Sequence, residues 1–210
     1  MKQFKYRKGF TMVEMVITMT LLAIFFTSAT VVLGSFTRVY YKVQELNRAL
    51  LIGDTILQSV EEQLKAASRI DEIYTDAENG QVILFTDSDG IYRLFDTRGG
   101  TRSIEDYLGV VLGEPVETVE GQLWLSYYHT TPPDLSVEAT YATTKGVEQI
   151  VGSDFYKNNH IKLSFLPGII NDGGVDKVQY MEVTVEVWMD NRMITKTKGV
   201  IQMQYLPGIG

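Results

Sequence analysis

The 210-residue chain contains no cysteine. Disulfides and thiolate metal sites are thereby excluded, and the fold must hold together by packing alone. Its two histidines, His129 and His160, are far apart and sit in no motif. No nucleotide-binding loop, nucleophile elbow or HExxH pair is present, so no enzyme class is indicated and no cofactor is expected. Nor is there any charge between Met15 and Thr37, or any proline before Pro115. The remaining composition, 45% hydrophobic and 21% charged, is that of a folded protein. The length suits one good-sized domain with an appendage.

The net charge of −7 conceals an asymmetry. Lys2, Lys5, Arg7 and Lys8 place four positive charges and no negative one in the first nine residues. The rest holds 15 Lys and Arg against 26 Asp and Glu, a balance of −11. Such an acidic body is poorly suited to direct nucleic-acid binding. The basic start stands directly before an apolar run and reads as an orientation signal, with the N-terminus cytoplasmic and the remainder outside.

Met15 to Thr37 is a run of 23 uncharged residues, 15 of them apolar and the rest Thr, Ser and one Gly. As an α-helix it spans about 35 Å, enough for a bilayer core. Eleven are Val, Leu, Ile or Phe, each contributing roughly −0.3 to −0.6 kcal/mol to insertion. The run is too long for a cleaved secretory signal and no clean A-x-A site follows it. A plain signal anchor is the simplest alternative. Glu14 counts against it: a carboxylate at the head of such a run costs roughly 2.5–3.5 kcal/mol in a bilayer interior and marks a functional position.

The string Lys8-Gly9-Phe10-Thr11-Met12-Val13-Glu14, followed by the long apolar helix, closely resembles the processing site of type IV prepilins and of secretion and competence pseudopilins. The resemblance is strong over about the first forty residues and architectural beyond. It implies cleavage between Gly9 and Phe10 by a membrane-embedded prepilin peptidase, N-methylation of the new Phe10 amine, and pairing of Glu14 with the Phe10 amine of a neighbouring subunit. Opposite charges about 4 Å apart attract by roughly 4 kcal/mol at an effective dielectric near 20, comparable to the cost of embedding Glu14. The chain departs from many major pilins in having no proline within the apolar helix, where Val31 stands, and no C-terminal cysteine pair.

Beyond the apolar run, Val39, Val43, Leu46, Leu50, Gly53, Leu57, Val60, Leu64 and Ala67 step by fours and threes, which predicts one apolar helix stripe. Lys42, Gln44, Glu45, Arg48, Gln58, Glu61, Glu62 and Lys65 are expected on the opposite face. The helix is predicted from Phe10 to about Arg69, some 90 Å, with Gly34 and Gly53 as places where it can bend. From Ile70 onward the chain is rich in β formers and turns. Gln81–Phe85 and Ile91–Phe95 read as a hairpin through Thr86–Gly90. Asp87-Ser88-Asp89-Gly90 and Asn171–Asp176 lack a full calcium ladder and are read as turns. Gln122–Tyr128, Ile161–Leu166, Val178–Met189 and Met193–Leu206 read as strands, the last two joined at Asp190-Asn191. Thr130–Gly152 reads as a long surface connection. The repeated Leu-Pro-Gly-Ile strings at 166–169 and 206–209 read as strand-ending turns.

These readings give an α+β protein: residues 1–9 a leader, 10–37 a transmembrane and filament-core helix, 38–69 an amphipathic helix, and 70–210 an antiparallel β head on which that helix packs. The resemblance implies a structural subunit of a type IV pilus or pseudopilus, not an enzyme. The 201 residues left after the leader favour a minor position. Expected partners are other pilin or pseudopilin subunits, the prepilin peptidase, the assembly platform with its ATPase, and membrane lipid before assembly. The expected location is the cytoplasmic membrane with the head outside, then the surface filament. An alternative is a pilin-anchored binding head using Trp124, Tyr127 and Tyr128.

Overall fold

The computed structural model describes residues 10–129, 131–137, 141–172 and 175–207. It has the α+β layout expected: a long N-terminal helix followed by a largely antiparallel β-sheet. The chain divides after Glu45 into two compact units. Helix α1, Met12–Lys65, begins in the first and ends in the second.

In the first unit the helix is exposed along its apolar run, with Ala29 half-buried. Every Thr and Ser between Met15 and Thr37 turns its hydroxyl back onto a carbonyl of its own helix. Thr18 donates to Met15 O, and Thr20, Thr27, Ser28, Thr30, Ser35 and Thr37 each donate to the carbonyl four residues earlier, at 2.8–3.1 Å. No polar side chain in the run therefore needs water, the condition for a helix in hydrocarbon.

The second unit is built on an eight-stranded sheet, with a three-stranded one beside it. Its strands are β1 Ala67–Asp76, β2 Gly80–Asp87, β3 Tyr92–Asp96, β4 Gly100–Ile104, β5 Val116–Thr118, β6 Trp124–Tyr128, β7 Thr143–Thr144, β8 Gly146–Gln149, β9 Asn159–Asp172, β10 Val175–Met189 and β11 Arg192–Pro207. A one-turn helix α2, Ser153–Tyr156, precedes β9. The large sheet runs β11-β10-β9-β2-β3-β6-β8, with β1 also on β2. Its pairings are antiparallel except a single parallel bridge, Gly80 to Leu163. The small sheet is β5-β4-β7.

One core joins the upper part of α1 to the sheet. Ala49, Ile52, Ile56, Val60 and Leu64 pack with Ile161, Leu163, Phe165, Val183, Val185, Val187 and Ile201. Two glycines permit the close approach. A Cβ on Gly53 would lie 2.7 Å from Thr197 Oγ1, and one on Gly199 would lie 2.9 Å from Leu57 Cδ2. Gly53 is thus a packing residue. The buried stripe is also rotated from the predicted one. Gly53, Val60 and Leu64 are in it, but Val39, Val43, Leu46 and Leu50 are exposed, and Ala49, Ile52 and Ile56 take the central place. Arg48, expected on the solvent face, is half-buried and its Nη2 donates to Asp154 O and Phe155 O, at 3.1 and 2.8 Å.

The other sheet face has its own cluster, Val82, Leu84, Leu94, Tyr128 and Leu135, with Tyr141 beside it. Thr130–Gly152 is therefore only in part a surface excursion: it contains β7 and β8, and Leu135 is buried. Beneath it, Asp96 accepts from Arg98 Nε at 2.9 Å and from Arg102 Nη2 at 3.1 Å. Both guanidinium carbons lie over the Tyr141 ring, at 3.9 and 4.9 Å from its centre. The Leu166–Ile169 string is a second correction. It lies within β9, paired to β10 across a bulge between Val178 and Tyr180, and the Tyr180 ring covers Gly168. An aromatic over a strand glycine replaces the missing side chain. Leu206 and Pro207 end β11, while Gly208 and Ile209 lie outside the described residues.

Ile56→Ala should destabilise the head by about 2–5 kcal/mol, the usual range for a truncated core residue. Leu50→Ala, 39% exposed, should cost less than about 1 kcal/mol. Urea midpoints of the two variants check which stripe is buried. Alkali supplies a second test. Burial pushes the Tyr156 phenol up to about 12, against a Leu123 N–H bond that stabilises its anion. Below about pH 10 the phenol is neutral in both states and this contribution is complete. Between about pH 10 and the folded value the unfolded phenol ionises while the folded one does not, so stability falls. Tyr156→Phe should lower the midpoint at about pH 9, by leaving Leu123 N–H unpaired, and weaken the decline toward about pH 11.5.

Candidate functional site

The residues that carry the sequence signal stand at the start of α1. Lys2, Lys5, Arg7, Lys8 and Gly9 lie outside the described residues. Phe10 is exposed and precedes the helix. Thr11 caps it: Glu14 N–H donates to Thr11 Oγ1 at 3.3 Å, and Met15 N–H closes the first turn on Thr11 O at 3.2 Å. In return Glu14 Oε2 accepts from Thr11 N–H at 3.0 Å and from Thr11 Oγ1–H at 3.1 Å. This is a reciprocal capping box, which satisfies two donors that the helix start leaves open. The carboxylate also lies at the positive end of the helix dipole.

Sequence reasoning took Glu14 as a charge awaiting a partner and missed this local role. The signal was present in Thr11-Met12-Val13-Glu14, the Thr-x-x-Glu pattern ahead of an apolar run. The box uses one carboxylate oxygen. Oε1 makes no hydrogen bond among the described residues, so the group can hold its own helix start and still accept a cation.

The comparisons with known proteins agree on this segment. A family model described as the prokaryotic N-terminal methylation motif matches residues 4–30. The chain carries a type IV prepilin-like signal. Neither a curated protein nor a solved structure matches the chain. The prepilin-like signal and the apolar helix behind it, which is long and apolar enough to cross a membrane, fit a membrane-anchored pilin-like protein. The signal points to a structural subunit that assembles with other pilin subunits and meets a prepilin peptidase.

Asp87 Oδ1 accepts from Asp89 and Ile91 N–H at 2.8 and 3.0 Å, and Oδ2 meets Arg93 at 2.7 Å, so the carboxylate serves its own turn. Asn171–Asp176 lies partly outside the described residues. Among the described residues no group of three His, Asp or Glu could hold a metal. His129 rests against Tyr107, with ring centres 5.0 Å apart. His160 Nδ1 lies 3.3 Å from Glu120 O, at the edge of a cleft of about 490 Å³ that also reaches Trp188. Lys162 Nζ sits 5.3 Å from the Trp188 ring centre. The aromatics considered for a binding head are mostly inside: Trp124 and Tyr128 are buried and Tyr127 is half-buried.

Glu14→Ala should remove the capping box at a cost of about 0.5–2 kcal/mol in the first turn. Glu14→Gln should retain it, because an amide oxygen accepts the same bonds. Amide exchange of Thr11 in detergent micelles is the measurement. A rise of roughly tenfold for the Ala variant, with little change for Gln, is expected for a loss near 1.4 kcal/mol.

Proposed function

We propose that the protein is a structural subunit of a type IV pilus or related pseudopilus, cleaved after Gly9, methylated on the Phe10 amine and assembled through α1. The observation that carries this reading is the methylation motif at residues 4–30 together with the capped, uncharged helix directly behind it. Removal of the leader would take Lys2, Lys5, Arg7 and Lys8 away and leave one cation, on Phe10, beside a helix whose only charge before Arg38 is Glu14. The Phe10 amine of a neighbouring subunit would find Glu14 Oε1 available. Pairing between subunits would set their axial stagger, since the attraction of roughly 4 kcal/mol near 4 Å falls off with distance. The assembly platform and its ATPase would extract the apolar helix from lipid, and the head would stand outside the cytoplasmic membrane.

The two roles of Glu14 separate in one experiment. Cells carrying wild type, Glu14→Gln or Glu14→Ala are fractionated, and processed protein in membranes is compared with protein in sheared filaments. N-terminal peptides are read by mass spectrometry. In all three the chain should begin at a methylated Phe10. Both variants should lose filament incorporation, by about tenfold or more, because Gln keeps the capping box and loses the charge. Wild-type incorporation by the Gln variant would reduce Glu14 to a helix cap. Surface protein that retains Met1 through Lys8 would refute the processing itself.

A further inference from the structure

The ion cluster at the end of β3 is one negative charge short. Asp96 is fully buried, and so, nearly, are both cations that meet it: Arg98 is 6% exposed and Arg102 1%. Arg98 Nε reaches both carboxylate oxygens, at 2.9 and 3.1 Å, and Arg102 Nη2 donates to Oδ2 at 3.1 Å. Arg98 Nη1 donates to Leu135 O at 3.1 Å. Two guanidinium nitrogens are left over, Arg98 Nη2 and Arg102 Nη1. Both are shut off from solvent, and neither has an acceptor among the described residues. They belong to side chains that share one carboxylate oxygen and lie over one ring, that of Tyr141.

The surrounding groups do not close the balance. Asp76 feels the charge of Arg98 but forms no ion pair with it among the described residues, and its Oδ1 accepts from Glu78 and Asn79 N–H at 2.9 and 2.8 Å. Tyr128 donates its hydroxyl to Tyr141 O at 2.8 Å. Burial pushes the Tyr128 phenol up, so it supplies no negative charge at neutral pH. A guanidinium cannot shed its proton to escape the imbalance. Buried N–H groups of a charged side chain without acceptors are a costly arrangement.

We propose that Arg98 Nη2 and Arg102 Nη1 hold a single small monovalent anion of the chloride class. Water would accept from the N–H groups and leave the excess charge in place, whereas an anion meets both needs at once. A divalent oxyanion would replace one excess positive charge by one excess negative charge. Asp96 ends β3 of the large sheet and Arg102 lies in β4 of the small one, so the bound anion stabilises the junction of the two sheets. The inference is independent of the filament reading.

The test is stability against anion identity. The full-length chain in detergent micelles is unfolded by urea at constant ionic strength, with sodium gluconate replaced stepwise by sodium chloride, so that general screening stays fixed. Fluorescence of Trp124, buried and opposite Asp96 in the β3–β6 ladder, follows the transition. Once chloride exceeds its dissociation constant, each tenfold rise should raise the folding equilibrium constant by about tenfold, and bromide should replace chloride. Arg102→Met leaves Arg98 and Asp96 as a balanced pair, and its midpoint should not respond to chloride. Should that variant fail to fold, the wild type alone decides: the folded chain should broaden the chloride magnetic resonance line, bromide should reverse the broadening, and the urea-unfolded chain should not produce it. Equal midpoints in the two salts, a chloride response that survives in Arg102→Met, or broadening that persists in the unfolded chain would overturn the site.

Discussion

The capping box between Thr11 and Glu14 places a full negative charge at the head of a helix that then continues for 23 residues without another. Those two facts constrain each other. An embedded carboxylate is tolerable where helix-start N–H groups and a hydroxyl meet it, and the run behind it is tolerable in lipid because its seven hydroxyls return to their own backbone. Thr and Ser mid-helix are ordinarily poor choices, since they compete with backbone bonds. Here the same competition makes the segment self-sufficient. Glu14 Oε1 makes no hydrogen bond among the described residues, and the proposed assembly chemistry is directed at that atom.

The upper end of α1 answers to a different constraint. A helix packed on a sheet stands off by the size of the side chains between them, and Gly53 and Gly199 remove one from each layer. That close approach fixes the rotation of the helix about its axis. It brings Ala49, Ile52 and Ile56 inward and turns Leu50 out. A residue with a side chain at Gly53 would push against Thr197 and rotate the stripe back. The gain in helix propensity over glycine, about 1 kcal/mol, would be opposed by that displacement.

Much of this was legible in the sequence, because the signals were local. The α+β layout followed from the change in composition near Ile70, although the helix read to Arg69 ends at Lys65 and β1 begins at Ala67. The hairpin through Thr86–Gly90 and the Asp190-Asn191 turn followed from turn chemistry, and the latter pair takes the positive φ values, 49° and 59°, that such two-residue loops need. The failures were non-local. Choosing between the stripe through Leu50 and the one through Ile52 requires knowing that a strand glycine, Gly199, faces Leu57. Leu-Pro-Gly-Ile at 166–169 looks like a turn until Tyr180, in the next strand, fills the space over Gly168. Pro167 stands opposite Met181 in the β9–β10 ladder, and among the described residues the β9–β2 bridge lies earlier, at Leu163; a strand tolerates a proline where one of its edges has no ladder to serve. At the N-terminal site the miss was of another kind. The Thr-x-x-Glu pattern was visible, and a functional reading of Glu14 obscured the structural one.

Without disulfides, the head must hold its smaller sheet against the larger by other means, and Asp96 supplies one. It ends β3 of the large sheet, while Arg98 follows it in the chain and Arg102 lies in β4 of the small one. Arg98 Nη1 extends the network to Leu135 O at 3.1 Å, and Tyr141 stacks on both guanidiniums. A buried ion cluster of this kind is a weak source of net stability, because desolvation offsets most of its attraction. Its value is directional: two forked cations and one carboxylate fit together in one register, whereas an apolar filling would accept several. Breaking the cluster from the carboxylate side would leave two buried cations unpaired, which is the costly case. The specificity it confers also reaches the projecting turn 105–112, since that turn begins where β4 ends and inherits its position from Arg102.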